Sequence, residues 1–430
     1  MNPRHRLLFV DGHSGPLGGA QINLLELLAH ADAGRRWEVR VACCPSSPLA
    51  AALKRQRVLR HDYVLEAAGR GIRTLFRLGT ARDREAAASR LRDVLAGFSP
   101  EAVISCSGPD HLVSGMAAAG HRIPSIWWVN EIVSPDFFSW PARRTFVSEA
   151  LAHATRLVPV SEYGKRALVQ AGLPPSRIRV VHNGIPLRDY RRSDSRLLRE
   201  RLKLKPGEPL IGLLGRITPW KGTRFFVELA ERWAAQGRPG RFVIVGPTAP
   251  EEAAFAASLR TLVRSKGLSG RVAFPPPAAN DADTLSQLDV LLHCSVKPEP
   301  FGRVIIEGMA VGVPVISAKD GGVPEIVTPG VNGGLARPGD HEDYLAQLTA
   351  VLGSPSMRAA WVLAGRRTVQ QRFTLDRVFD GFQRILAECI AEPGERSEGK
   401  AAAPQEDQET WSRNPVSSRI FLLPASSSTG

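Results

Sequence analysis

Short, wholly apolar runs alternate with stretches of helical spacing along most of this chain. The runs predict strands at Arg6–Asp11, Glu38–Cys43, Ala102–Ser107, Ser125–Val129, Arg156–Val160 and Arg177–Val181. A second series follows at Leu210–Leu214, Arg241–Val245, Arg271–Phe274, Asp289–Cys294 and Pro314–Ser317. Strands without a polar face belong in parallel sheets covered by helices on both sides. Two such series predict an α/β chain of two doubly wound, Rossmann-like domains, with any ligand in the crevice at the carboxyl ends of the strands. Proline-rich turns at Pro186–Arg192 and Pro206–Pro209 interrupt the pattern, so the domains are expected at 1–185 and 186–372. A further helical pattern through Phe379, Phe382, Ile385, Leu386 and Ile390 makes 373–390 a closing helix, and 391–430, rich in Glu, Ser, Pro and Gln, reads as a disordered tail.

The chain has 430 residues, 43% hydrophobic and 23% charged, which suits two globular cores. No apolar run reaches the roughly 18–20 residues that span a bilayer. The first apolar run, Leu7–Val10, is too short for a secretory signal. Five cysteines without a Cys-x-x-Cys pair suggest neither a disulfide framework nor a zinc site, which points to the cytoplasm. The 56 Lys and Arg against 42 Asp and Glu give a net charge of +14. Phosphorylated substrates or an anionic membrane surface fit this charge better than nucleic acid, for which no recognition motif is present. Between Lys54 and Arg92 basic residues outnumber acidic ones and are interleaved with Leu59, Val64, Leu65, Ile72, Leu75, Phe76 and Leu78. That stretch reads either as solvated helices or as a basic amphipathic surface for the inner face of the cytoplasmic membrane.

Three segments carry candidate phosphate chemistry. Asp11–Ala20 joins the first strand to a helix through Gly12, Gly15, Gly18 and Gly19, where backbone N–H groups are open to an anion. Leu214-Gly215-Arg216 ends a strand, and Lys221-Gly222 precedes the next helix, placing a planar guanidinium and a compact ammonium five residues apart. Lys297–Gly308 places Glu299 in a turn and Glu307 on the first turns of a helix that starts near Gly302, within reach of a ribose.

Taken jointly, Gly18-Gly19-Ala20, Gly215-Arg216 with Lys221-Gly222, the Glu299–Glu307 spacing and Gly321-Gly322-Val323-Pro324-Glu325 resemble glycosyltransferase family 4, retaining enzymes of the GT-B fold. Val160-Ser161-Glu162-Tyr163 and Val181-His182-Asn183-Gly184-Ile185 look like two further landmarks. The resemblance covers roughly residues 6–390. It implies a nucleoside diphosphate sugar donor, a glycan or lipid-linked acceptor, and a closing helix that crosses back onto the first domain. It implies catalytic roles for Glu299, Arg216, Lys221 and Asn130. The donor contacts it implies are Gly18, Gly19, Arg216, Lys221, Gly246, Phe301, Gly302, Arg303, Val304 and Glu307. Cell-envelope or exopolysaccharide assembly is the expected setting. Neither a cofactor nor a metal is expected, since Asp281-Ala282-Asp283 reads as a helix cap.

Asn130 stands where many relatives carry His, and Asn does not titrate near neutral pH. A sugar-nucleotide epimerase of the same architecture and a silent nucleotide-sugar-binding scaffold are the alternatives. Trp127, Trp128, Phe137, Phe138 and Trp140, near Arg143 and Arg144, offer stacking faces for an acceptor or a membrane contact; core packing explains Trp127 or Trp128 equally well.

Overall fold

A computed structural model of the chain describes residues 4–30, 32–62, 81–277 and 281–391. Most of the apolar residues singled out between Lys54 and Arg92, and the tail expected beyond 391, lie outside the described residues.

The first half builds one six-stranded sheet from β1 (His5–Asp11), β2 (Trp37–Cys43), β3 (Leu59–Asp62), β4 (Ala102–Ser105), β5 (Ser125–Val129) and β6 (Arg156–Pro159). Its helices are α1 (Gly19–Leu28), α2 (Ala33–Arg36), α3 (Pro48–Arg55), α4 (Ala81–Phe98), α5 (Gly108–His121), α6 (Trp140–His153) and α7 (Glu162–Gln170). All neighbours pair in parallel, in the order β3-β2-β1-β4-β5-β6. Leu7 to Val10 of β1 are inaccessible on both faces, the burial that an uninterrupted apolar strand requires.

The second half repeats the plan. A short α8 (Leu197–Arg201) precedes β7 (Leu210–Leu214), α9 (Thr223–Ala235), β8 (Arg241–Val245), α10 (Ala253–Ser265) and β9 (Val272–Ala273). Then come α11 (Asp281–Ser286), β10 (Val290–His293), α12 (Arg303–Val311), β11 (Val315–Ala318), β12 (Gly334–Ala336), α13 (His341–Gly353) and α14 (Pro355–Arg372). The strands are again parallel, in the order β12-β11-β10-β7-β8-β9. Strand order reverses between β1 and β4 and between β7 and β10, so the crevices at the carboxyl ends of those pairs are the ligand positions this topology favours.

The last helix, α15 (Leu375–Ala391), returns to the first sheet. Phe382 meets Trp128 edge-on at 4.7 Å between ring centroids, and Phe379 packs on Trp37 and His30. The chain pairs with itself at this crossing: the Ile185 N–H donates to Phe373 and the Leu375 N–H to Ile185.

Three expectations need correction. Residues 177–181 form no strand; a single bridge joins Ile178 to Leu157 beyond the edge of the sheet. The edge strands β3 and β12 lack a long apolar run, so periodicity passes over them. Phe138, expected at an acceptor or membrane face, is buried against Phe146 in the first-domain core, and Trp127 lies in the same core stacked on His111. Of the outer aromatics, Trp140 is 62% exposed and Phe137 partly so.

Candidate active site

β7 delivers Arg216 to the mouth of the crevice and a 3₁₀ turn, Pro219–Lys221, delivers Lys221. The turn lies close against the end of β10: a Cβ on Gly222 would stand 1.8 Å from the Cys294 carbonyl oxygen, so only glycine serves there. Gly246, expected at the donor, serves the same purpose at the end of the neighbouring strand β8, where its backbone abuts Gly215.

Glu299 is buried, and one of its oxygens collects three partners. Lys221 Nζ lies at 2.7 Å, Ser295 Oγ at 2.9 Å and His293 Nε2 at 3.0 Å. Burial alone pushes its pKa up, but the Lys221 ammonium and the His293 hydrogen bond outweigh that and hold it well below the usual carboxylate range. His293 is fixed in turn by Tyr344, whose hydroxyl donates to its carbonyl. The Gly321-Gly322 turn seats this segment: the Gly322 N–H donates to the Glu299 carbonyl at 2.8 Å, and a Cβ on Gly321 would collide with it.

Arg216 makes no hydrogen bond or ion pair among the described residues. Its charge reaches across the crevice to His13, whose pKa falls through burial first and the Arg216 cation second. Two cations thus stand at this mouth: Lys221 is paired with Glu299, whereas Arg216 makes no ion pair among the described residues and acts on Glu252 only through its field.

Glu307 is buried on the second turn of α12, with Oε1 accepting from Tyr190 Oη at 3.3 Å and Arg303 Nε at 3.1 Å. Arg303, expected among the donor ligands, has its guanidinium committed elsewhere: it grips Glu26 of α1 bidentately at 2.8 and 3.0 Å and also bonds Asn23. What remains open is backbone. The N–H groups of Arg303 and Val304, at the start of a helix whose N-cap Gly302 has φ +101°, meet no acceptor among the described residues. Phe301 is core, packed on Phe373 and His182. Gly18 caps α1 with its N–H held by Gln21, and a Cβ on Gly19 would meet the Arg303 side chain at 3.6 Å.

On the first-domain side Asn130 donates to the carbonyls of Trp128 and Cys106, which fixes its amide. Around it lie carboxyls. Glu131 accepts from the Gly108 N–H at 2.9 Å, Asp110 from the Gly12 N–H at 2.9 Å and from Ser107, and Asp11 from Gln21. Burial pushes Asp11 up to about 6 and both Asp110 and Glu131 to about 7. A carboxyl that holds its proton more tightly when folded lends stability below its ordinary pKa, and that contribution is lost as pH rises through the folded value. Glu131→Gln is therefore expected to flatten part of the fall in melting temperature between pH 5 and 8. The gain at pH 8 should be on the order of 1–3 kcal/mol, measured by thermal unfolding across that range.

Two landmark segments form the far rim. Both Glu325 oxygens cap α7, accepting from the Glu162 and Tyr163 N–H groups at 2.8 Å, and one also meets His182 Nε2 at 2.8 Å. Sequence patterns did not point to His13, Glu26, Tyr190, His293 or Ser295. Glu26 was findable, since Gly19, Asn23 and Glu26 share one face of α1. Among the described residues no cluster of His, Cys, Asp and Glu has metal-ligand geometry, and no helix is long and apolar enough to cross a membrane.

Residues 17–189 match Glycosyltransferase Family 4, and residues 194–368 match Glycosyl transferases group 1. The chain belongs to glycosyltransferase family 4. A curated relative, the D-inositol 3-phosphate glycosyltransferase of Mycobacterium avium, is 30% identical over 259 residues, 59% of this chain and 60% of that protein. The Mycobacterium bovis counterpart is matched over 53% of its length, so this family 4 chain spans less than two thirds of the curated relatives it matches. Among solved structures, Anabaena HepE in complex with UDP and glucose superposes with a TM-score of 0.79 at 24% identity, covering 90% of this chain and all of that one. A glycosyltransferase from Rickettsia africae gives 0.74 at 17% identity, covering 90% of this chain and 99% of its own. The architecture is therefore GT-B.

Proposed function

We propose that this family 4 chain transfers a hexose from a nucleoside diphosphate sugar to a hydroxyl of a glycan or glycolipid, with retention of configuration and without a metal. The observation that carries this is the convergence of Arg216, Lys221 and the open N–H groups of α12 at a strand-order switch point, beside Glu307. Breaking a sugar–phosphate bond leaves negative charge on the diphosphate, and fixed cations and helix-end amides stabilise that charge as it forms. Glu307 has its second oxygen clear of hydrogen bonds among the described residues and suits a ribose diol. Glu299, held as a carboxylate, suits the hydroxyls of the transferred sugar. The acceptor oxygen bonds to the anomeric carbon as the phosphate oxygen departs, and the acceptor proton passes to that phosphate oxygen. This route needs no separate base, and fits an Asn at position 130. The buried carboxyls beside Asn130 favour a neutral, hydroxyl-rich acceptor over a phosphorylated one. HepE, solved with UDP and glucose, makes uridine diphosphate sugars the first donors to try.

The test is thermal unfolding with uridine, guanosine and adenosine diphosphates and their sugars, followed by nucleotide release with and without glycan acceptors. One base should stabilise the protein by about 2.7 kcal/mol at a hundred times its Kd. Nucleotide release should then require acceptor. Conversion of the donor into a different nucleotide sugar, with no acceptor present, would indicate an epimerase. No response to any nucleoside diphosphate would remove the reading.

A further inference from the structure

A second concavity, of about 350 Å³, lies at the other end of α12. The helix is nine residues long, so its two ends stand roughly 13 Å apart. Four arginines line this concavity, Arg188, Arg191 and Arg192 from the segment between the two sheets and Arg366 from α14, with Gln370 and Tyr190 beside them. Among the described residues no carboxylate is part of the lining.

Helix capping accounts for some of this. Arg366 donates to the Val311 carbonyl at 2.7 Å and Arg192 to the Gly312 carbonyl at 3.4 Å, both at the carboxyl end of α12. Each uses one nitrogen and has others left over. Capping explains neither Arg188, whose one ion pair among the described residues is with its exposed neighbour Asp189, nor Arg191, which meets no partner among them. Four like charges around one hollow repel one another, and a multiply charged anion is the ligand that relieves this. Guanidinium groups bind phosphate bidentately, and the volume suits a small phosphorylated molecule.

Tyr190 ties the hollow to the crevice. It lines the concavity, and its hydroxyl donates to Glu307 Oε1. We propose that this concavity is a second anion site, for closely spaced phosphates, whose occupancy is felt at Glu307 through Tyr190. The phosphates come either from a soluble metabolite or from a phospholipid headgroup. Binding there does not depend on the transfer reaction.

Tripolyphosphate binding to the full chain by calorimetry tests it, in the Arg216→Ala, Lys221→Gln background so that the crevice cations do not contribute. The Arg216→Ala background alone serves if the double variant does not fold. Binding should persist there and weaken at least about tenfold on adding Arg188→Ser, Arg191→Ser and Arg192→Ser. A control with the same charge change at exposed Arg35, Arg36 and Arg55 should weaken it less than about threefold. Vesicles of phosphatidylglycerol, compared with phosphatidylcholine, separate the sources: binding to them that depends on the three arginines, without tripolyphosphate binding, assigns the lipid headgroup. In the same crevice-cation background, tripolyphosphate should alter the affinity for the nucleoside that the thermal screen selects, and Tyr190→Phe should abolish that effect. Equal losses in both triple variants, or no binding to either probe, would overturn the site. Loss of all anion binding with the crevice cations would return the anion to the crevice.

Discussion

Arg216→Ala is expected to cut sugar transfer on the order of 10²–10³-fold, the usual effect of removing one donor to a developing anion. Stability should stay within about 0.5 kcal/mol of the parent, because the guanidinium makes no hydrogen bond or ion pair among the described residues. Lys221→Ala should cost turnover by a similar factor, but it differs in a second readout. Its ammonium is the principal counter-charge of buried Glu299 at 2.7 Å. Removing it leaves that carboxylate with only His293 and Ser295, at a cost of about 1–3 kcal/mol. The sign with pH follows from the depressed pKa of Glu299. Its contribution is present above the ordinary carboxylate range and lost as pH falls through the folded value. In Lys221→Ala the folded pKa of Glu299 rises, so the deficit relative to the parent should be largest near neutral pH and should narrow as the pH falls and Glu299 takes up its proton. Steady-state kinetics with thermal unfolding from pH 3 to 7 measures both. Equal stability profiles for the two variants would show that Lys221 does not govern Glu299.

Arg303→Ala is expected to destabilise the protein by about 3–5 kcal/mol, the range for a buried ion pair broken from one side. The guanidinium faces Glu26 from the first domain and Glu307 from the second, with side-chain exposures of 16% and 9%. Without it, two desolvated carboxylates are left near one another. Glu26→Ala should cost less, because Arg303 keeps Glu307. The double variant should therefore be less unstable than the sum, with a coupling of about 0.5–3 kcal/mol in a double-mutant cycle. Donor affinity should fall as well if Glu307 holds the ribose as proposed, since Arg303 fixes Glu307 through its Oε1. Additive effects on stability would dissolve this link between the two domains.

The sheets were legible in the sequence because parallel strands buried on both faces leave unbroken apolar runs. Leu7–Val10, Leu210–Leu214 and Val290–Leu292 all announce themselves. The edges were not: β3 is Leu-Arg-His-Asp, and nothing local marks it as a strand. Adjacent glycines, Gly215 before Arg216 and Gly222 after Lys221, located the two cations, but no local pattern indicates that Lys221 sits on Glu299, 78 residues away. Arg303 shows the limit most clearly. The family resemblance placed it among the donor contacts, whereas the direction of its side chain depends on α1 of the other domain. The landmarks Ser161-Glu162-Tyr163, His182 and Glu325 were visible as family features, but their meeting around one carboxylate became readable only in three dimensions.

The crossing at Ile185 and Thr374 limits how the two lobes are able to move. The chain passes from the first lobe to the second and back again there, and backbone hydrogen bonds hold the two passes side by side. A pair of strands tied in this way resists sliding but yields to twist, so the lobes behave like covers on a spine and swing instead of shearing. Each swing strains the Arg303–Glu26 clasp and the Glu325 cap together, which makes parting the lobes a concerted event instead of a gradual one.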